Sequence, residues 1–250
     1  MRIIKMTVIF IPAIFLSIAT DSNAEQACFR QNFKIAIDAG HTIKHPGATS
    51  ATGIGEHSFN KKIAALLLGE LKKAGFENAF LINEADREVT LKQRAVEANS
   101  VKSDLFISIH HDSVQPVYLS QWEYDGKKLH YSDKYKGFSI FYSKKNKYHE
   151  ASLLFAKALG SELLERGFSP SLHHAENIPG ENRDLIDEKR GIYRFDDLVV
   201  LRTTEMPAVL VECGIIVNRY EENLLQDSEY QMKIVGAIVK AIENVCGSAH

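Results

Sequence analysis

The chain has 250 residues, of which 45% are hydrophobic and 25% are charged, in the range of one ordinary globular domain with a substantial core. Lys and Arg number 30 and Asp and Glu number 32, which gives a formal net charge of −2. The sequence contains no block or stripe of basic residues that would neutralise phosphates, so this balance argues against a nucleic-acid partner.

The N-terminus has the pattern of a secretory signal peptide. Arg2 and Lys5 form a short positive region, an apolar run follows over 6–19, and small residues at 22–24 precede the expected cleavage site. An uncleaved anchor is the rival interpretation, but the apolar run is shorter than the ~20 residues needed to span a bilayer. We therefore expect residues 1–24 to be a signal peptide, with no membrane span afterwards and export to the periplasm.

Export would place the three cysteines in an oxidising compartment. Their spacing contains no CxxC pair, which argues against a cysteine zinc site. Cys28 and Cys246 lie near the two ends of the processed chain, and domain termini are often close in space, so a disulfide between them is an expectation. Cys213 follows an apolar stretch and is predicted to be a buried thiol.

The hydrophobic pattern after the signal predicts alternating strands and helices. In chain order it predicts a strand over 33–38, a helix over 59–71 that Ser58 could cap, a strand over 78–82, a helix from Thr90 to Ala98, a strand over 105–110, a more exposed strand over 138–142, a helix over 151–165, β segments over 199–201 and 208–211, and an amphipathic helix over 232–245. This order predicts an α/β fold: a single domain with a mainly parallel twisted sheet and helices on both faces.

Side chains with catalytic chemistry stand at the ends of three predicted strands. His110 and Glu212 end two of them, His41 follows the third closely, and Glu56 precedes the first helix. In such sheets, active sites gather at the carboxyl ends of the strands. Each residue alone is more typical of an ordinary loop. Together, two imidazoles and a carboxylate match the ligands of a catalytic zinc with an open water position, and a further carboxylate could accept a proton.

Four stretches carry a resemblance to a known family. They are 37–41 (IDAGH), Gly55-Glu56 with Asn60, 108–113 (SIHHDS), and 206–214 (MPAVLVECG) followed by Asn218. In this order, from about Lys34 to the end, the chain resembles the zinc-dependent N-acetylmuramoyl-L-alanine amidases, a family that includes the cell-separation amidases. The resemblance implies a fold of the phosphorylase/hydrolase-like type.

At the matching positions, the resemblance implies that His41, Glu56 and His110 bind zinc (Zn2+) and that Glu212 is the catalytic carboxylate. The expected activity of the domain, residues 25–250, is hydrolysis of the amide bond between N-acetylmuramic acid and L-alanine in peptidoglycan. Peptidoglycan is the expected partner, and a monomer is the expected state. The alternatives are a zinc carboxypeptidase, a small-molecule amidohydrolase, or a non-catalytic relative that binds peptidoglycan.

Two polar segments leave alternatives open. The aromatic segment 114–136 could wall the cleft and contact substrate, although a surface hairpin that covers the domain's own core is preferred. His173, His174 and Glu176 could hold a second metal ion, but a solvated loop is the preferred interpretation.

Other charged residues near these motifs have weaker expected roles. Arg183 or Arg194 could bind a stem-peptide carboxylate, with surface ion pairing preferred for each. If the strand persists, His111 should point away from His110, either supporting the site or exposed. His45 and His57 are predicted to face solvent or to assist weakly.

Overall fold

The computed structural model describes residues 29–85 and 87–247. The helices are α1 (Glu56–Lys73), α2 (Leu91–Ser100), α3 (His149–Glu165), α4 (Val199–Thr203), α5 (Arg219–Gln226) and α6 (Ser228–Gly247). The strands are β1 (Ile35–Ala39), β2 (Phe80–Ile82), β3 (Leu105–Asp112), β4 (Ser120–Tyr124), β5 (Lys127–Tyr131), β6 (Ser139–Tyr142), β7 (Asp184–Asp187), β8 (Ile192–Arg194) and β9 (Ala208–Ile215). The predicted signal peptide lies outside the described residues. Within these ranges, the structure contains no helix with the length and apolar character to cross a membrane.

One seven-stranded sheet organises the domain, in the order β2-β1-β3-β9-β6-β8-β7. Neighbouring strands from β2 to β9 run parallel, β6 is antiparallel to β9, and β7 is antiparallel to β8. Strands β4 and β5 form a separate hairpin. The predicted α/β domain with a mainly parallel sheet is confirmed.

Helices cover both faces of this sheet. Ile35 and Ile37 belong to a core shared with α1, α3 and α6, whereas Ala36 and Phe106 belong to a second core shared with α2 and α4. Successive side chains of a strand point to opposite faces, so a strand that is covered on both faces must be apolar at almost every position. This is why the strands read as short, nearly continuous apolar runs.

The ends of the first two helices follow from local chemistry. Helix α1 begins at Glu56 with Gly55 as its N-cap, so the prediction that Ser58 caps it is wrong. Gly75 follows its C-terminus at a φ of 89°, a left-handed conformation that glycine adopts readily. Thr90 caps α2 as predicted, because its side chain accepts from Gln93 N while the Gln93 side chain accepts from Thr90 N.

Two predicted elements differ from the structure. Residues 199–201 form the start of helix α4, not a β segment, because short apolar runs have no periodicity that separates the two. The strand predicted as more exposed, β6, is buried at all four residues because it lies inside the sheet between β9 and β8.

The cysteines agree with the sequence in part. Cys213 is a buried free thiol, as predicted. Cys246 is disulfide-bonded. Its expected partner Cys28 lies outside the described residues, so the pairing stays a prediction.

Candidate metal centre

Three parallel strands bring the predicted site residues to one edge of the sheet. His110 lies near the end of β3, directly opposite Glu212 on β9. His41 follows β1, the other neighbour of β3. Glu56, the first residue of α1, completes the group. Residues far apart in sequence therefore meet where the strands end, as expected for an open α/β sheet.

The three predicted ligands contact one another directly. His41 Nε2 lies 2.9 Å from Glu56 Oε2, and His110 Nδ1 lies 2.9 Å from Glu56 Oε1. One ligand atom from each residue lies within 4.8 Å of the other two. Two imidazoles and a carboxylate at this spacing match a catalytic zinc site that leaves a fourth position open.

The loop backbone also fits closely around these ligand atoms. At Gly47, an added Cβ would stand 2.7 Å from His41 Nε2 and closer still to Glu56 Oε2. Only glycine leaves room for the ligand side chains at this position, where φ is 78°. The residues present therefore fit a zinc ion.

Glu56 is held in place as a carboxylate. Asn60 Nδ2 donates to its Oε1 at 3.0 Å, and Ala48 N donates to its Oε2 at 3.1 Å. Burial acts to raise the pKa of Glu56, but its hydrogen bonds and electrostatic interactions with His110 and His41 outweigh it and lower that pKa well below the ordinary value. The ligand is thus in its metal-binding, ionised form.

His41 adopts a strained backbone conformation, and a hydrogen bond from helix α2 holds its carbonyl group in place. Its φ is 68°, in the left-handed region that non-glycine residues rarely enter. Buried Arg94 on α2 donates to the His41 carbonyl and to Asp38, and Ser108 Oγ donates to Asp38 Oδ2 at 2.7 Å. Sequence reasoning missed Arg94. The available signal was Asp38 inside an apolar strand, since a buried carboxylate needs a partner.

The neighbouring histidines support the site from the interior. His111 is buried and donates through Nδ1 to Asn60 Oδ1 at 2.8 Å. Burial lowers the pKa of His111 to about 3, so the ring stays neutral. His57 is also buried and donates to Gly40 O, so the prediction that it faces solvent is wrong. His45 is exposed, as predicted.

Glu212 has the environment of a proton-exchanging carboxyl. Its Oε2 is buried and has no hydrogen-bond partner in residues 29–85 and 87–247. Burial, together with the charges of Asp112 and Glu56, raises the pKa of Glu212 well above its ordinary value. A carboxyl whose pKa is raised by burial holds a proton more readily than an ordinary glutamate, which suits a group that must accept a proton and then return it.

Family membership follows from the whole sequence. A sequence model of the family described as N-acetylmuramoyl-L-alanine amidase, Amidase_3, matches residues 35–244. The chain belongs to this family.

Individual relatives are distant but cover most of this amidase. YqiI of Bacillus subtilis, described as an uncharacterized protein, is 28% identical over 210 residues, which are 84% of this chain and 83% of YqiI. The catalytic domain of CwlV, the N-acetylmuramoyl-L-alanine amidase of Bacillus (Paenibacillus) polymyxa var. colistinus, is 26% identical with a TM-score of 0.63, covering 85% of this chain and 97% of that domain. Ami1 of Mycobacterium smegmatis, at 22% identity and a TM-score of 0.67, covers 87% of this chain and 98% of its own and shares the fold.

Two pockets of this amidase flank the candidate centre. One, of about 360 Å³, is lined by His41 and His110 among others. The other, of about 290 Å³, is lined by Glu212 and Arg183 among others. Leu198 and Leu210 line both pockets, so the two pockets adjoin each other.

The aromatic segment of the amidase packs against its own domain. Trp122 Nε1 on β4 donates to Ala51 O at 2.9 Å, and the hydroxyls of Tyr118 and Tyr135 donate to the Glu176 carboxylate. The segment contains the β4–β5 hairpin, in agreement with the preferred interpretation. Contact with substrate stays a prediction.

The loop around His173 is not the solvated loop that was preferred from sequence. His173 and His174 are buried on a short 3-10 turn. They contact Asp112, whereas Glu176 is bound by the two tyrosines. Arg194 makes ion pairs with Asp184 and Asp196, as expected for a surface residue.

Proposed function

We propose that this amidase hydrolyses the amide bond between N-acetylmuramic acid and L-alanine in peptidoglycan, with zinc held by His41, Glu56 and His110 and with Glu212 as general base and acid. The observation that carries the proposal is the meeting of these three ligand side chains beside a buried carboxyl with an unsatisfied oxygen. The family match supports the amide bond as the scissile bond.

The roles of the chain's own residues follow from their positions. When bound, zinc supplies a Lewis acid that makes water nucleophilic at neutral pH. Glu212 Oε2 accepts the proton of the attacking water, and Glu212 then returns it to the departing alanine nitrogen. The second transfer is needed because an amine leaves far more readily than an amide anion. The Glu56 carboxylate and the hydrogen bonds from Asn60 keep the ligand set oriented.

The location of the substrate fits the N-terminal sequence. Peptidoglycan lies outside the cytoplasmic membrane, and residues 1–24 have the charge and apolar pattern of a signal peptide. We infer export to the periplasm. N-terminal sequencing of the exported protein should begin at Glu25.

The test is product analysis with purified, zinc-loaded protein and isolated cell walls. The wild type should release glycan free of peptide, together with peptides that begin with alanine. Glu212→Gln should bind zinc normally and lose about 10²-fold or more in rate. Glu205→Gln, at an exposed carboxyl outside the site, should retain full activity.

Two results would overturn the proposal. Release of a C-terminal amino acid instead of free glycan would indicate a carboxypeptidase. Equal rates for wild type and Glu212→Gln would show that Glu212 is not the general base and acid.

A further inference from the structure

A second group of metal-ligand side chains lies at the same sheet edge, in residues that the amidase mechanism does not use. Asp112 ends β3, and His173 and His174 lie on one short 3-10 turn. His174 Nε2 lies 2.8 Å and His173 Nε2 lies 3.3 Å from the same oxygen, Asp112 Oδ2. One ligand atom from each residue lies within 4.8 Å of the other two.

The opposite nitrogen of each histidine is held by an outer group. His174 Nδ1 lies 2.8 Å from Glu181 Oε2, and His173 Nδ1 lies 2.8 Å from Ser171 Oγ. Metal-binding histidines are oriented in this way, because a group that accepts the Nδ1 proton leaves the Nε2 lone pair for the ion. Both Nε2 atoms then aim at one point beside Asp112.

Hydrogen bonds within the described part of the protein satisfy both ring nitrogens of His174 but only one of those of His173. Contacts with Asp112 and Glu181 account for both ring nitrogens of His174. His173 Nε2 is buried without a hydrogen bond to any described residue, which is costly. A cation would satisfy both rings at once.

The cluster is rigid and can be reached from the cleft. The His173 ring packs 5.3 Å from Tyr135, and the His174 ring packs 4.9 Å from Phe141. Rings held by packing and by outer hydrogen bonds form a preorganised site. The pocket that contains Glu212 is also lined by Asp112 and His174, which gives an ion a route in.

We propose that Asp112, His173 and His174 form a second cation site, separate from the His41–Glu56–His110 centre, which takes a divalent metal ion of the zinc type. The two imidazoles favour zinc over magnesium or calcium, and zinc also accepts a carboxylate oxygen as a ligand.

The experiment counts zinc ions by elemental analysis after the full-length protein is equilibrated with Zn2+ and passed into metal-free buffer. The wild type should hold two ions per chain, His41→Ala one, His174→Ala one, and the double variant none. His130→Ala, at an exposed histidine on the hairpin, should hold two. Circular dichroism checks that each variant is folded.

His41→Ala keeps the proposal falsifiable even if His174→Ala fails to fold, because it leaves the second cluster intact. One zinc retained in His41→Ala supports the second site, and none retained overturns it. A single ion in the wild type that is lost only in His41→Ala would overturn the second site and leave the amidase centre standing. A single ion lost only in His174→Ala would support the second site and contradict the proposed catalytic centre.

Discussion

The proposed zinc ligands lie so close to Gly47 that a methyl group at this position would overlap them. Gly47→Ala should displace the ends of His41 and Glu56 and weaken zinc binding by about 10- to 100-fold, in the range seen when ligand orientation is lost. Because these are flexible side-chain ends, the variant should remain folded. Competition with a chromogenic chelator measures the affinity.

Gly53→Ala is the matched control in the same loop. Gly53 also has a positive φ, of 94°, so both variants carry a backbone penalty of about 1 kcal/mol. A Cβ at Gly53 meets only Leu129, at 3.4 Å or more. Equal zinc affinity in the two variants would show that the ligands do not meet beneath Gly47.

Arg94 connects Asp38, near the end of β1, to the strained backbone of His41. Removing the guanidinium in Arg94→Ala leaves a buried carboxylate without its cation, which should cost about 3–5 kcal/mol in the free energy of unfolding. Zinc affinity should fall as well, because the His41 carbonyl loses its donor. Urea denaturation checks the stability.

The control for Arg94 is an exposed ion pair. Lys145→Ala breaks a surface contact with Asp197 and should leave the unfolding free energy almost unchanged. If Arg94→Ala is no more destabilising than Lys145→Ala, the buried pair does not anchor the site.

The meeting of His41, Glu56 and His110 could be expected from the sequence, because the family resemblance and the predicted element ends both point to these positions. That they bind zinc stays a prediction. Their supporting residues could not be predicted. Arg94 reaches Asp38 across 56 positions, and His174 reaches Asp112 across 62. Such contacts depend on how helices and loops return to the sheet, and no spacing in the sequence encodes that. His173 and His174 were visible as a pair, but their burial was not.

At the scale of elements, helix α5 is joined to two strands through one carboxyl group. Glu221 accepts from Ile215 N on β9 at 2.9 Å and from Gly137 N, just before β6, at 2.8 Å. Burial raises the pKa of Glu221 from 4.5 to about 7, although the two backbone donors oppose the shift. The folded protein therefore binds a proton that the unfolded chain has already lost across this interval.

Stability should consequently fall as pH rises through that interval. The contribution of Glu221 is fully present below about pH 4.5 and is lost by about pH 7, with a total near 3 kcal/mol. Glu221→Gln should remove this component, so the difference in unfolding free energy between variant and wild type should change with pH. Parallel stability curves between about pH 4.5 and pH 7.5 would contradict the assignment.

The strands and helices were predictable where a single pattern was long enough. Helix α1 repeats its apolar residues over 18 positions, and α6 over 20. The errors fall on short elements: α4 has five residues and β6 has four. For β6, burial depends on which strands lie on either side of it, and that order is a property of the sheet as a whole.

At the scale of the whole molecule, the candidate zinc centre joins the segment after β1, the start of α1 and the end of β3. Zinc that binds only the folded state at 100 times its dissociation constant stabilises it by about 2.7 kcal/mol. For a domain of this size, a chelator should lower Tm by roughly 5–10 °C for each ion that it removes. Differential scanning calorimetry with and without chelator measures the shift.

The variant that lacks ligands at both candidate sites supplies the control. His41→Ala combined with His174→Ala should show little change in Tm when chelator is added. If the chelator leaves the wild-type Tm unchanged, metal binding is not linked to folding.

Strand β6 runs in the opposite direction to β9, and this determines which part of the chain borders Glu212. Because β6 is antiparallel to β9, Ser139 at its beginning lies opposite Glu212. At this edge the chain enters the sheet through β6, whereas it leaves the sheet through β1, β3 and β9. Exchanging Gln115, which lines the pocket that contains Glu212, would reshape that pocket while the neighbouring strands keep their register.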